Sequence, residues 1–331
     1  MAGDKFIESS YEKALIALFQ ELGYTYECGY DVERDYREPF YREVLEASLK
    51  RLNKGVSADI LAEGLKMVTN LNEGTLIQDN RRFTEMLQNG FAVPYLENGE
   101  NRTATLRLVD FEQPLANDFR IVNQWSVEEL GKIRCDMVVM VNGLPLVELK
   151  TASDENVTIE DAYLQIRNYM KKCPSLFGYN AFSVISDLAQ SKAGTITSKF
   201  ERFMEWKSED GNYETKLIAD YATFFKGMFM RERLIDILKN YICFDLNDGA
   251  QSKILTAYHQ YFAVEKAVAR AHQAVDGDGK IGVFWHTQGS GKSFSMIFFA
   301  HQLIQEFAEC TLVVVTDRKD LDNQLYGQFC R

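Results

Sequence analysis

The stretch that decides the fold reads Arg134-Cys135-Asp136-Met137-Val138-Val139-Met140-Val141-Asn142-Gly143-Leu144-Pro145-Leu146-Val147-Glu148-Leu149-Lys150. Two apolar runs flank Asn142-Gly143. Asn-Gly is the strongest short hairpin signal, because both central residues of a type I′ turn take positive φ. Val138, Val139 and Val141 make the first run β-prone, and Leu144, Leu146 and Val147 continue the second. Asp136, Glu148 and Lys150 interrupt these apolar strands, and ionised groups on a buried hairpin are costly unless paired or bound to a metal. Folding across the turn brings Asp136 and Glu148 near each other at one end of the hairpin. Glu148 and Lys150, two residues apart, leave one strand on the same face. Two carboxylates and one ammonium so placed can hold Mg²⁺ and position a water. On spacing alone a structural salt bridge among these residues is the favoured reading, and the features that follow shift it towards a site.

Downstream of the hairpin the hydrophobic period changes. Thr158-Ile159-Glu160-Asp161 is a capping signal, and residues 157–172 read as a helix that stops before Pro174. Gln165 and Tyr169 lie four apart on it, hence on one face, where they either serve the charged cluster or pack. Residues 182–186 return as a strand, completing a strand, strand, helix, strand unit around the acidic hairpin. Upstream, residues 102–110 and 119–127 read as strands that pair antiparallel with it. Residues 39–67 and 71–88 read as helical, with Arg81-Arg82 a small basic spot on a solvated face. Residues 6–22 form an amphipathic helix with Tyr11, Leu15, Leu18 and Leu22 on one stripe. Ser9-Ser10-Tyr11-Glu12 fits a capping box and Gly23 a C′ residue, so Glu12 has a reading as a cap partner.

The totals bound the class. The chain has 331 residues, room for about two domains. A hydrophobic content of 46% and a charged content of 26% are those of a soluble globular protein. No run reaches the length of a membrane span, and the N-terminus lacks the apolar core of a signal peptide. The six cysteines are scattered with no Cys-x-x-Cys, which reads as reduced thiols in a cytoplasmic protein. The four histidines show no zinc spacing. A net charge of −11 excludes a surface coated for non-specific DNA binding, since phosphate contacts need clustered Lys and Arg, but leaves room for a local basic channel.

Residues 231–244 read as a helix leaving the first domain, and the polar run 245–249 marks a boundary, giving domains 1–245 and 246–331. The second opens with a helix over 252–275 and a turn at Asp276-Gly277-Asp278-Gly279. A short apolar strand over 281–285 runs into His286-Thr287-Gln288-Gly289-Ser290-Gly291-Lys292-Ser293. A helix follows to about Phe307, and 311–316 is a second buried strand. This βαβ pattern is that of a parallel sheet. Gly289, Ser290 and Gly291 sit between strand and helix as a phosphate loop requires. Their backbone N–H groups can face phosphate oxygens at the positive end of the helix. Lys292 would reach the β- and γ-phosphates and Ser293 would hold Mg²⁺. Gln260, on the preceding helix, is placed to read adenine or to lie solvated.

Taken together, these motifs resemble the N-terminal part of the restriction (motor and cleavage) subunit of type I restriction–modification enzymes. That resemblance covers nearly the whole chain. It implies an α/β fold: a PD-(D/E)xK, RecB-like nuclease domain followed by an incomplete RecA-like P-loop domain of a superfamily 2 helicase. Asp136 and Glu148-Leu149-Lys150 match the nuclease core, with Cys135 where Pro often stands. Gln165-Ile166-Arg167-Asn168-Tyr169 matches the Gln-x-x-x-Tyr motif. The segment around Tyr11-Glu12 resembles the first core helix, which makes Glu12 a third acidic candidate near the metal. Residues 285–293 resemble helicase motif I, 313–318 motif Ia, and 258–262 the segment before motif I. The function implied is Mg²⁺-dependent hydrolysis of phosphodiester bonds, with Asp136 and Glu148 as metal ligands. The parent would be an ATP-driven translocase. The implied partners are double-stranded DNA and the methyltransferase and specificity subunits of the same system.

An acidic Mg²⁺-activating motif and an arginine finger, which a working motor needs, do not precede Arg331. The expectation is a truncated motor domain without ATPase activity of its own. Two other functions remain open on the sequence. One is an inactive docking or DNA-binding fragment. The other is a nuclease-helicase of a type III-like or DNA-repair system.

Overall fold

In a computed structural model of the chain, the described residues are 2–71, 74–152, 157–187, 189–216, 220–247, 250–307 and 309–315. Helix α1 (Ala2–Glu21) and strand β1 (Thr25–Cys28) come first. They are followed by α2 (Arg42–Leu52), α3 (Ala58–Thr69), α4 (Leu76–Asn89), β2 (Phe91–Glu97) and β3 (Glu100–Leu106). Next come β4 (Phe119–Glu128), β5 (Lys132–Val141), β6 (Leu144–Ala152), α5 (Ile159–Lys172), α6 (Pro174–Gly178), β7 (Phe182–Asp187) and β8 (Ser191–Gly194). The chain continues through α7 (Tyr221–Phe229), α8 (Arg231–Asn240), β9 (Ile242–Asn247), β10 (Ala250–Leu255), α9 (Tyr258–Val275) and α10 (Lys292–Glu306). It is a mixed α/β protein.

A six-stranded sheet in the order β1-β4-β5-β6-β7-β8 organises the first part. The β4–β5, β5–β6 and β7–β8 pairs are antiparallel, and β1–β4 and β6–β7 are parallel. The β5–β6 hairpin is its centre, and every residue of β6 is buried. Asn142 (φ 53°) and Gly143 (φ 81°) both take the left-handed conformation that the type I′ turn requires. The turn itself is buried. Asn142 Nδ2 donates to Leu108 O at 2.9 Å and its Oδ1 accepts from Asp118 N at 2.9 Å. A Cβ on Gly143 would lie 2.5 Å from the Leu45 amide of α2, so the close approach of that helix also demands glycine. One core cluster packs on one side of the sheet against α1, α4, α7, α8 and α9, and a second lies beneath α5.

Several elements differ from the sequence expectation. Helix α1 begins at Ala2, so Ser9 to Glu12 lie inside it rather than at its start. Gly23 does terminate it, with φ 89° and Tyr24 N bonded to Phe19 O at 3.0 Å. The strand expected over 102–110 is β3, which pairs with the unanticipated β2 in a hairpin apart from the main sheet. The helix expected over 231–244 ends at Asn240, and the one expected from 252 begins at Tyr258. The residues between form the β9–β10 hairpin, and position 245/246 falls inside its first strand. Residues 281–285 and 311–315 carry no strand, and Val283 and Trp285 are 95% and 78% exposed. A parallel strand needs neighbours on both sides to satisfy its backbone and cover its faces, and among the described residues neither run has one. Residues 316–318 of the run expected as motif Ia lie outside the described residues.

Candidate functional site

The three charged residues of the central hairpin do meet. Lys150 Nζ donates to Asp136 Oδ1 at 2.8 Å. The other oxygen, Oδ2, accepts from both the backbone N and the Oγ1 of Thr151, each at 2.9 Å. Asp136 is therefore gripped from three directions, and all three of these residues are buried. Thr151 was not singled out from the sequence; adjacency to Lys150 is its only signal there. The salt-bridge reading thus holds for Asp136 and Lys150.

Glu148 is different. It stands opposite Val138 in the ladder and is 1% exposed. Among the described residues neither of its carboxylate oxygens has a hydrogen-bond partner. Burial, and then the charge of Asp136, push its carboxyl up to about 8, while Lys150 opposes the shift. Buried polar atoms are almost always satisfied, and a pair of orphaned carboxylate oxygens calls for a partner of positive charge. The donor set, two carboxylates with hard oxygen ligands, suits a divalent cation such as Mg²⁺.

The strand geometry shifts at this point. Cys135 and Val138 both contribute to the cluster beneath α5, as do Val122 and Trp125 on the neighbouring strand, although each pair is three residues apart. Side-chain alternation therefore slips by one on both strands, and Gln124, between Val122 and Trp125, takes φ 55°. Such irregularities re-aim side chains next to active sites, and Asp136 lies in this one.

Helix α5 begins with the anticipated capping box between Thr158 and Asp161. Its Gln165 Nε2 donates to Tyr169 Oη at 3.1 Å, and Tyr169 Oη donates to the Arg134 carbonyl at 3.0 Å. The motif braces β5 two residues before Asp136. Glu12 is buried on α1. Its neighbour Tyr11 bonds Ser186 Oγ at 2.6 Å, and Ser186 pairs with Thr151 in the β6–β7 ladder. This anchors α1 beside the site. Among the described residues no three His, Cys, Asp or Glu side chains gather as a metal cluster, so Glu12 is not brought together with Asp136 and Glu148.

The second constellation is the loop before α10. Gly289 (φ 82°) and Gly291 (φ 78°) are left-handed, and α10 starts at Lys292, with Ser293 in its first turn. Lys292 Nζ folds back onto the carbonyl oxygens of His286 and Thr287, both at 2.8 Å. Gln260 is neither solvated nor open to a base. Its Oε1 accepts from Ala257 N at 2.9 Å, and its Nε2 donates to Ser290 O (3.1 Å) and Gly291 O (3.0 Å), which fixes the loop to α9. The loop forms one wall of a cleft of about 580 Å³ whose other side includes Ser198 and Arg202.

The central hairpin with its clustered charged groups is thus followed, later in the chain, by a glycine loop at a helix start. Residues 5–202 match the family of the type I restriction enzyme R protein N terminus, and residues 259–331 match the SWI2/SNF2 ATPase family. The chain belongs to the type I restriction enzyme R protein N-terminal family. It is 35% identical to the HindI endonuclease subunit of Haemophilus influenzae, over 97% of this chain and 32% of that protein. It is 32% identical to the putative MjaIXP endonuclease subunit of Methanocaldococcus jannaschii, over 96% of this chain and 33% of that protein. The chain thus spans about a third of the length of these relatives. Among the described residues no helix is long and apolar enough to cross a membrane.

Proposed function

We propose that this chain carries the Mg²⁺-dependent DNA endonuclease site of a type I restriction enzyme, built on a PD-(D/E)xK, RecB-like core. The observation that carries the reading is the pairing of a gripped Asp136 with a bare Glu148 on the buried hairpin. A protein that wanted only stability would not leave two buried carboxylate oxygens unsatisfied at the centre of its sheet. Asp136 and Glu148 would hold the cation. Bound there, Mg²⁺ supplies positive charge against the charge that develops on the phosphate and acidifies a water. Lys150, oriented by Asp136, directs its ammonium at the same point and can hold the attacking water or stabilise charge on the phosphoryl oxygens. Tyr169 and Gln165 keep β5 in register with that geometry from behind.

The segment from Tyr258 onward supports a second part of the proposal, the beginning of a RecA-like domain that binds ATP through Gly289, Ser290, Gly291, Lys292 and Ser293. What supports it is that Lys292 Nζ turns back over the loop onto two carbonyl oxygens and that Gln260 fixes the loop to α9. The parent protein would be an ATP-driven translocase working on double-stranded DNA with methyltransferase and specificity subunits. Calorimetric titration with Mn²⁺ tests the metal site. Binding by the wild type that is lost in Asp136→Asn and in Glu148→Gln is expected. A trace unchanged by Mn²⁺ and Mg²⁺ would overturn the reading in favour of a docking domain.

A further inference from the structure

Arg134 lies two residues before Asp136 on β5, about 6.7 Å along the strand. Ile133 and Cys135 on either side of it are buried beneath α5, and Arg134 itself is exposed. Six arginines of this part of the chain, Arg37, Arg42, Arg81, Arg102, Arg107 and Arg120, each pair with a carboxylate, while Arg34, Arg51 and Arg167 donate to backbone carbonyl oxygens. Among the described residues Arg134 forms no ion pair. Its guanidinium is held instead by a neutral group, donating to Tyr30 Oη at 2.8 Å, and Tyr30 is itself exposed. The loop that carries Tyr30 is tied to the sheet, with Gly29 N bonded to Asn123 O at 2.8 Å. The Arg134 backbone is fixed by Tyr169 at its carbonyl oxygen.

From this arrangement we infer that Arg134, oriented by Tyr30, is a substrate-binding residue that grips a phosphate of the DNA strand within one or two nucleotides of the bond to be cut. The inference rests on the nuclease reading. An exposed guanidinium that is immobilised and uncompensated suits a phosphodiester, which its fork can contact bidentately. The span from Asp136 fits a strand that rises about 3.4 Å per nucleotide. It also gives an acidic chain a local point of positive charge where the backbone must approach two carboxylates.

The test is fluorescence anisotropy of a labelled DNA duplex with this chain in EDTA, where no cleavage occurs. Arg134→Gln is expected to weaken binding about tenfold and to reduce the slope of log affinity against log salt by about one. Arg134→Lys should recover part of the loss, Tyr30→Phe should lose about threefold, and the melting temperatures should stay within a degree or two of wild type. Equal affinity and salt slope in Arg134→Gln would overturn the inference, as would a wild-type chain that does not bind the duplex. A plasmid assay in Mg²⁺ separates the two claims. If Asp136→Asn cleaves like wild type while Arg134→Gln still loses affinity, the nuclease reading fails and the phosphate contact stands.

Discussion

Asp136 and Glu148 stand on adjacent strands of one hairpin, yet Asp136 accepts hydrogen bonds from Lys150 and Thr151 while Glu148 accepts none from the described residues. The asymmetry sets their costs apart. Without metal, Glu148 is the expensive group, and replacing it should relieve the fold. Glu148→Gln is expected to stabilise the metal-free protein by about 1–3 kcal/mol in urea unfolding. Mn²⁺ should raise the unfolding midpoint of the wild type and leave that of the variant unmoved. A variant less stable than metal-free wild type would show that Glu148 has a structural partner.

Thr151 orients the carboxylate that Lys150 also holds. Thr151→Val keeps the backbone N–H bond to Asp136 and removes the hydroxyl one. Loss of a group that orients a ligand typically lowers metal affinity by 10- to 100-fold, and about tenfold is expected here, measured by Mn²⁺ calorimetry. Thr151→Ser should bind as the wild type does. Unchanged affinity in the valine variant would make the hydroxyl contact incidental.

Tyr169 and Gln165 act in series on the Arg134 carbonyl. Tyr169→Phe removes one hydrogen bond and should cost about 1 kcal/mol. Adding Gln165→Leu to that variant should cost little more, because the glutamine works through the phenol. Additive losses in the double mutant would mean that Gln165 has its own role.

Lys253 is a buried ammonium outside the site, 2% exposed. Its Nζ reaches Asn80 Oδ1 (2.8 Å), Thr84 Oγ1 (3.2 Å) and Asn180 O (2.8 Å), all neutral. Burial lowers it from 10.5 to about 7. Between those two values the unfolded chain binds a proton that the folded chain lacks, so stability rises with pH across that window, and the penalty of the buried charge is fully present below it. Relative to Lys253→Met, wild-type stability should therefore climb by up to about 1.4 kcal/mol per pH unit between pH 7 and 10. Parallel pH curves for the two proteins would contradict this.

The central hairpin was legible because Asn142-Gly143 admits few alternatives and its flanks are apolar. The same dipeptide at Asn98-Gly99 makes the β2–β3 hairpin, but Glu97, Glu100, Asn101 and Arg102 around it hide the alternation. The meeting of Asp136 with Lys150 followed from the turn. The isolation of Glu148 did not, because it depends on what the third dimension withholds from a carboxylate. Gln260 read as a residue open to solvent or base, and only the approach of α9 to the loop assigns both ends of its amide. Lys253 stood in a polar run with nothing to mark it, since its neighbours come from α4 and the start of β7, far away in sequence. The runs at 281–285 and 311–316 read as strands from their apolar, β-prone residues, but a strand is a property of a pair, and among the described residues neither has a neighbour to pair with.

Cleavage of supercoiled plasmid in Mg²⁺, with the methyltransferase and specificity subunits present, tests the assignment of the hairpin most directly. Nicked or linear product from the wild type, with a loss of at least about 100-fold in both Asp136→Ala and Lys150→Ala, is expected. Cleavage that persists undiminished in either variant would contradict the placement of the nuclease site on this hairpin.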